Sequence, residues 1–81
     1  MEIKVLGGGC AKCERLDKLA RRVAAELGVE ATFTKVKEMG AIMAYDVMST
    51  PALVIDEQVK SSGRIPRAEE IVEWIRGAEM Q

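Results

Sequence analysis

The hydrophobic patterning of this 81-residue chain predicts an α/β fold of order β-α-β-α-β-β-α, with a four-stranded mixed sheet flanked by three helices. Three observations carry that expectation. Two strand-like segments, near residues 2–6 and 31–36, bracket a stretch whose apolar residues recur at helical spacing. A continuous apolar run, Ala52 to Ile55, reads as a central strand covered on both faces. The chain then closes on a second helical pattern between Pro66 and Gly77.

Each element has a local reason. Glu2 to Leu6 alternates and then turns apolar, which suits a strand, and Gly7, Gly8 and Gly9 break it just before Cys10. From Cys13 the period changes. Leu16, Leu19, Ala20, Val23, Ala24 and Leu27 share one helical face, opposite Arg15, Lys18, Arg22 and Glu26. Gly28 stands where a helix ends in a left-handed residue. Ala31 to Val36 is rich in β-branched residues and predicts a second strand, parallel to the first through a right-handed crossover. Glu38 to Val47 predicts a shorter helix with Met39, Ile42 and Met43 facing inward, although Gly40 weakens it. Ser49-Thr50-Pro51 stops that helix. Asp56-Glu57 stands where a tight turn into Gln58–Lys60 is needed, without the Asn-Gly or Asp-Gly that such turns favour. Ser61 to Pro66 is expected to be a loop. Arg67 to Arg76 predicts the last helix, burying Ala68, Ile71, Val72 and Ile75 and ending at Gly77. The first and third strands, the most apolar, belong at the centre of the sheet.

Residues 1–81 are expected to form a single domain with a modest core, since a chain this short buries only about 60% of its unfolded surface. Phe33, Tyr45 and Trp74 are its only aromatic residues, so the core is expected to be aliphatic. The stripe Met39, Met43 and Met48 reads as core packing rather than a thioether metal site. Twelve Lys and Arg face thirteen Asp and Glu. The first forty residues hold 8 of the bases and 6 of the acids, an asymmetry too weak to indicate nucleic acid or a membrane as partner. No apolar run approaches the roughly 20 residues of a membrane span, and no signal-like stretch opens the chain. The expectation is a cytoplasmic, monomeric protein.

The chemistry concentrates in Cys10 and Cys13, the only cysteines. A pair three residues apart closes too short a loop to act as a structural staple. Placed after a strand and at the opening of a helix, it meets unpaired backbone N–H groups and the positive end of the helix dipole, both of which favour a thiolate. Lys12 adds a positive charge. Such surroundings lower a cysteine pKa from about 8.5 to roughly 3.5–7.5. Cys10 is then the exposed nucleophile, and Cys13, one turn in, is the resolving sulfur that displaces a mixed disulfide. A Cys-x-x-Cys in a βαβ setting reads as a redox motif. No cofactor beyond the Cys10–Cys13 dithiol/disulfide is implied, and no resident metal.

The chain also resembles the thioredoxin fold, and within it the small thioredoxin- and glutaredoxin-like redox-active disulfide proteins of bacteria and archaea. The resemblance spans essentially the whole chain. It rests on Gly8-Gly-Cys-Ala-Lys-Cys13, on Thr50-Pro-Ala-Leu-Val-Ile55 and on Gly63-Arg-Ile-Pro66. It implies thiol–disulfide exchange with protein disulfides, recharged by a reductase that the sequence does not identify. It implies a cis bond between Thr50 and Pro51 facing the disulfide, and a substrate groove built from Gly9, Ala11, Thr50, Pro51 and Gly63. Here Ala11-Lys12 replace the Gly-Pro of thioredoxin proper, and Gly9 replaces its Trp. The buried acid that assists thioredoxin's resolving cysteine has no evident counterpart, Glu14 and Lys4 being the nearest charged residues.

Other readings of the same residues compete. A Cu(I) carrier would also place a Cys-x-x-Cys after its first strand, and two thiolates suit that soft ion. Such carriers resemble a β-α-β-β-α-β order and usually have Met before the first cysteine, where this chain has glycines and ends in a helix. Zinc wants four ligands, and the chain has no histidine. A binding partner with a vestigial motif, or simple packing of two soft residues, completes the set. Gly7–Gly9 lacks the Lys-Ser/Thr of a phosphate loop and reads as backbone freedom for Cys10. Trp74 reads as half-buried packing, and Arg64 as a surface charge.

Overall fold

A computed structural model describes residues 1–7 and 11–79. The glycines 8 and 9 and Cys10 lie outside the described residues. The elements are β1 (Glu2–Leu6), α1 (Ala11–Glu26), β2 (Thr32–Val36), α2 (Met39–Met43), β3 (Ala52–Ile55), β4 (Gln58–Ser62) and α3 (Ala68–Glu79). They form one mixed sheet in the order β2-β1-β3-β4, with β1 and β3 at the centre. β1 and β2 run parallel, and β3 is antiparallel to both β1 and β4.

Strand alternation divides the core in two. Ile3 and Val5 of β1 and Leu53 and Ile55 of β3 face α1 and α3, where Leu16, Ala20, Val23, Ile71 and Ile75 complete a buried aliphatic cluster. The other face is thinner. Leu6, Ala52 and Val54 pack there beneath Ile42 of α2 and Val47. α1 ends in a paired cap: Val29 N–H donates to the Ala24 carbonyl and Gly28 N–H to that of Ala25, with Gly28 at φ +69.

Three expectations need correction. α2 spans only Met39–Met43, and Asp46 at φ +59 turns the chain before Val47. A single helical turn offers one inward position, which Ile42 takes, so Met39 and Met43 point outward at 69% and 63% exposure, and Met48 follows at 98%. The methionine stripe is therefore surface, not core. The last helix does not stop at Gly77 but runs on to Glu79; with Ala78 packed on the core, the glycine continues the helix. β4 extends through Ser62 into the expected loop, because its pairing with β3 resumes at Leu53–Ser61 after a bulge.

The β3–β4 turn falls at Asp56-Glu57, as expected, and forms without glycine. Asp56 and Glu57 both take positive φ, +48 and +67, at a cost of roughly 1–2 kcal/mol each. Contacts to β1 offset it. Asp56 exchanges two hydrogen bonds with Glu2, its N–H to the Glu2 carbonyl and its carboxylate from the Glu2 N–H, both 2.8 Å. The Glu57 carboxylate accepts from Lys4 Nζ at 2.6 Å and from the Tyr45 hydroxyl at 3.1 Å. The Lys4 ammonium is held well above its ordinary pKa by Glu57 first and Tyr45 next, and Glu57 is held below its own by the same contacts. Lys4 is thus spent at the pole of the sheet that carries this turn.

Candidate active site

The antiparallel register pairs Leu6 with Ala52, so the residues just beyond them, Gly7 and Pro51, leave the sheet side by side. α1 begins four residues after Gly7. Its first turn sets Cys13 inward, at 5% exposure, with Ala11 and Lys12 exposed beside it. The Cys13 sulfur lies directly over Gly7: a β-carbon on Gly7 would overlap it and would stand 3.7 Å from the Thr50 Cβ. Gly7 is buried and its φ is not positive. Its missing side chain supplies room for the sulfur, a different role from the loop freedom expected of it.

The Thr50–Pro51 peptide bond is cis, with Thr50 exposed and Pro51 buried. Gly63 closes the far side, its N–H donating to the Pro51 carbonyl at 2.9 Å. At φ +73, and with Ser49 Cβ only 3.0 Å from where its own β-carbon would stand, this position suits glycine alone. One end of the sheet therefore gathers Gly7, Cys13, Thr50, Pro51 and Gly63. Gly9 and Cys10 fall outside the described residues. Arg64 points elsewhere, forming a two-pronged pair with Glu70 at 3.0 and 2.8 Å.

One buried charge escaped the sequence reading. Asp17 is 6% exposed, one helical turn beyond Cys13 on the same side of α1. Arg21 Nε donates to both its oxygens at 3.1 Å, and Lys35 Nζ lies 3.9 Å away. Lys35 chiefly serves Glu14, at 2.8 Å, and that contact lowers the Glu14 pKa, helped at longer range by Lys18 and Lys37. Arg21 also lies over the Phe33 ring, 4.7 Å from its centre. The signal for Asp17 was its position between Leu16 and Ala20 on the apolar face, with a base four residues later. Among the described residues, no three His, Cys, Asp or Glu side chains cluster as a metal site, and no helix is long and apolar enough to cross a membrane.

Comparison with known proteins agrees with this geometry. A family model described as a thioredoxin domain matches residues 1–76. The thioredoxin of Methanothermobacter thermautotrophicus is 42% identical over 71 residues, 88% of this chain and 92% of that protein. The thioredoxin of Methanocaldococcus jannaschii is 32% identical over 74 residues, 91% of this chain and 85% of its own length. The structure of thioredoxin 1 from the thermophilic eubacterium Thermosipho africanus superposes with a TM-score of 0.63 at 20% identity, covering 99% of this chain and 97% of that one, a likeness of fold. Matched along nearly its whole length, this chain belongs to the thioredoxin family of thiol–disulfide oxidoreductases.

Proposed function

We propose that the protein exchanges electrons with disulfides of partner proteins through Cys10 and Cys13. The carrying observation is the placement of Cys13, buried in the first turn of α1 with its sulfur over Gly7. A sulfur there is sheltered from solvent yet three residues from Cys10, the relation a resolving thiol needs. The Cys10 thiolate attacks one sulfur of the partner's S–S bond. A Cys10–partner mixed disulfide forms, and the other partner sulfur leaves as a thiolate that takes a proton. Cys13 loses its proton and attacks the Cys10 sulfur. The Cys10–Cys13 bond forms as the mixed disulfide breaks, and the partner departs as a dithiol, reduced by two electrons.

Lys12 and the start of α1 favour the Cys10 thiolate. Gly9, Ala11, Thr50, Pro51 and Gly63 line the groove, and the Thr50 backbone hydrogen-bonds an extended substrate segment. The protein works in the cytoplasm as a monomer, needs no cofactor beyond its own cysteine pair, and is recharged by a separate reductase. Cys13→Ser tests the order of events: it should accumulate a mixed disulfide at Cys10, visible as the summed mass on non-reducing mass spectrometry, and Cys10→Ser should form none. Trapping at Cys13 instead would reverse the assignment. Stoichiometric, tightly held copper in the purified protein, with no reversible disulfide, would replace the exchange reading with metal carriage by the same sulfurs.

A further inference from the structure

α1 carries five basic and three acidic residues, and every one of its acids is already paired. Glu14 is held by Lys35 at 2.8 Å, Asp17 by Arg21 at 3.1 Å and Glu26 by Arg22 at 3.5 Å. Lys12, Arg15 and Lys18 have no salt bridge among the described residues, and all three are exposed. Arg15 and Lys18 lie on the outward face of α1, away from Leu16, Ala20 and Val23, and Lys12 is exposed in the first turn. They form a run of positive charge that starts in the first turn of α1, which also carries Cys13, and continues down the helix.

The rest of the site's rim does not balance that run. Lys37 and Glu38 adjoin and offset each other, and the α2 flank adds one exposed acid, Asp46, among the exposed thioethers of Met39, Met43 and Met48, too little to match three bases. On the remaining side Arg64 is neutralised by Glu70. The uncommitted acids of α3, Glu69, Glu73 and Glu79, lie on a different helix. A chain of net charge −1 thus presents a cationic face on the helix that carries Cys13.

We infer that the physiological substrate is a protein whose disulfide is flanked by acidic residues, which dock along Lys12, Arg15 and Lys18. This rests on the disulfide-exchange reading above and adds the class of substrate to it. Charges arranged in this way raise the rate of encounter more than final affinity, and salt screens them.

The test uses the reduced protein and three peptides of one length, each closed by a single disulfide and flanked by Glu, Ser or Lys, with hydroxyethyl disulfide as an uncharged small substrate. At low salt the Glu peptide should be reduced about tenfold faster than the Lys peptide, the Ser peptide falling between. The difference should shrink toward unity at about 1 M salt. Arg15→Glu/Lys18→Glu should reverse the order while leaving reduction of hydroxyethyl disulfide unchanged. Equal rates on all three peptides, or an unchanged order in the double variant, would overturn the inference and leave the exchange chemistry standing. Failure of the wild-type protein to reduce any of the four substrates would overturn both.

Discussion

Gly7 is where stability and chemistry meet most closely, and Gly7→Ala tests the arrangement. The added methyl would overlap the Cys13 sulfur, and the Cys13 Cβ would stand only 3.3 Å away. Relief by rotating Cys13 is restricted, because one of its three rotamers is rare in a helix and another is the clashing one. Either the sulfur swings away from Gly7 or the end of β1 shifts. Inserting a methyl into a packed site costs about 1–3 kcal/mol, which for a domain this small lowers Tm by roughly 4–8 °C per kcal/mol. The cost should fall when the sulfur is removed. In a double-mutant cycle, Gly7→Ala combined with Cys13→Ala should be less destabilised than the sum of the two single variants, by about 1 kcal/mol or more. Urea denaturation of the reduced proteins measures each corner. Strict additivity would mean that the sulfur does not occupy the space above Gly7, and the resolving role would lose its structural basis. A chemical consequence accompanies it: with Cys13 displaced, Gly7→Ala should accumulate the mixed disulfide at Cys10 more than wild type does.

Gly77 sits within α3 with ordinary helical φ and no atom within 4 Å of where a β-carbon would be, so Gly77→Ala should stabilise by about 0.5–1 kcal/mol in urea denaturation; a loss would show that the glycine relieves a hidden contact. Glu70 accepts from Arg64 and from the Arg67 N–H, and those bonds hold its carboxyl at about 2, below the ordinary 4.5. Since the folded state lowers this pKa, its contribution is present above pH 4.5 and is lost as pH falls toward 2. Glu70→Gln should therefore be less stable than wild type at pH 7, and the two curves should converge near pH 2; a difference that persists there would point to packing rather than charge. The Ser61 hydroxyl is buried without a hydrogen-bond partner among the described residues, so Ser61→Ala should be neutral or stabilising by up to about 1 kcal/mol, and a loss beyond that would reveal a bond to the hydroxyl.

The fold was legible where one periodicity held across a whole element. α1, β1 and β3 announce themselves through unbroken spacing, and the resulting βαβ unit determines strand order and parallel pairing. Legibility failed where position depended on how little structure there was. The thioethers at 39 and 43 keep helical spacing with Ile42, but in one turn of helix only one of three such residues can face the sheet. The Asp56-Glu57 turn also departs from local rules. Its support comes from Glu2, Lys4 and Tyr45, up to 54 positions away, and no window on the turn itself contains them.

The site divides along the same line. Cys13, Thr50, Pro51 and Gly63 were legible as motif residues, yet what joins them is the pairing of Leu6 with Ala52. That register sets Gly7 beside Pro51 at the carboxyl end of β1, and α1 and α2 leave this end of the parallel pair for opposite faces of the sheet. In open α/β sheets such a divergence leaves a crevice outside the strand ends. A register slip of one residue between β1 and β3 would turn Leu53 and Ile55 out of the α1–α3 core. It would also part Gly7 from Pro51. The aliphatic core that stabilises the sheet is therefore what holds the cis-proline segment against the buried sulfur, and a variant that weakens the β1–β3 pairing should lose sulfur alignment before it loses helices.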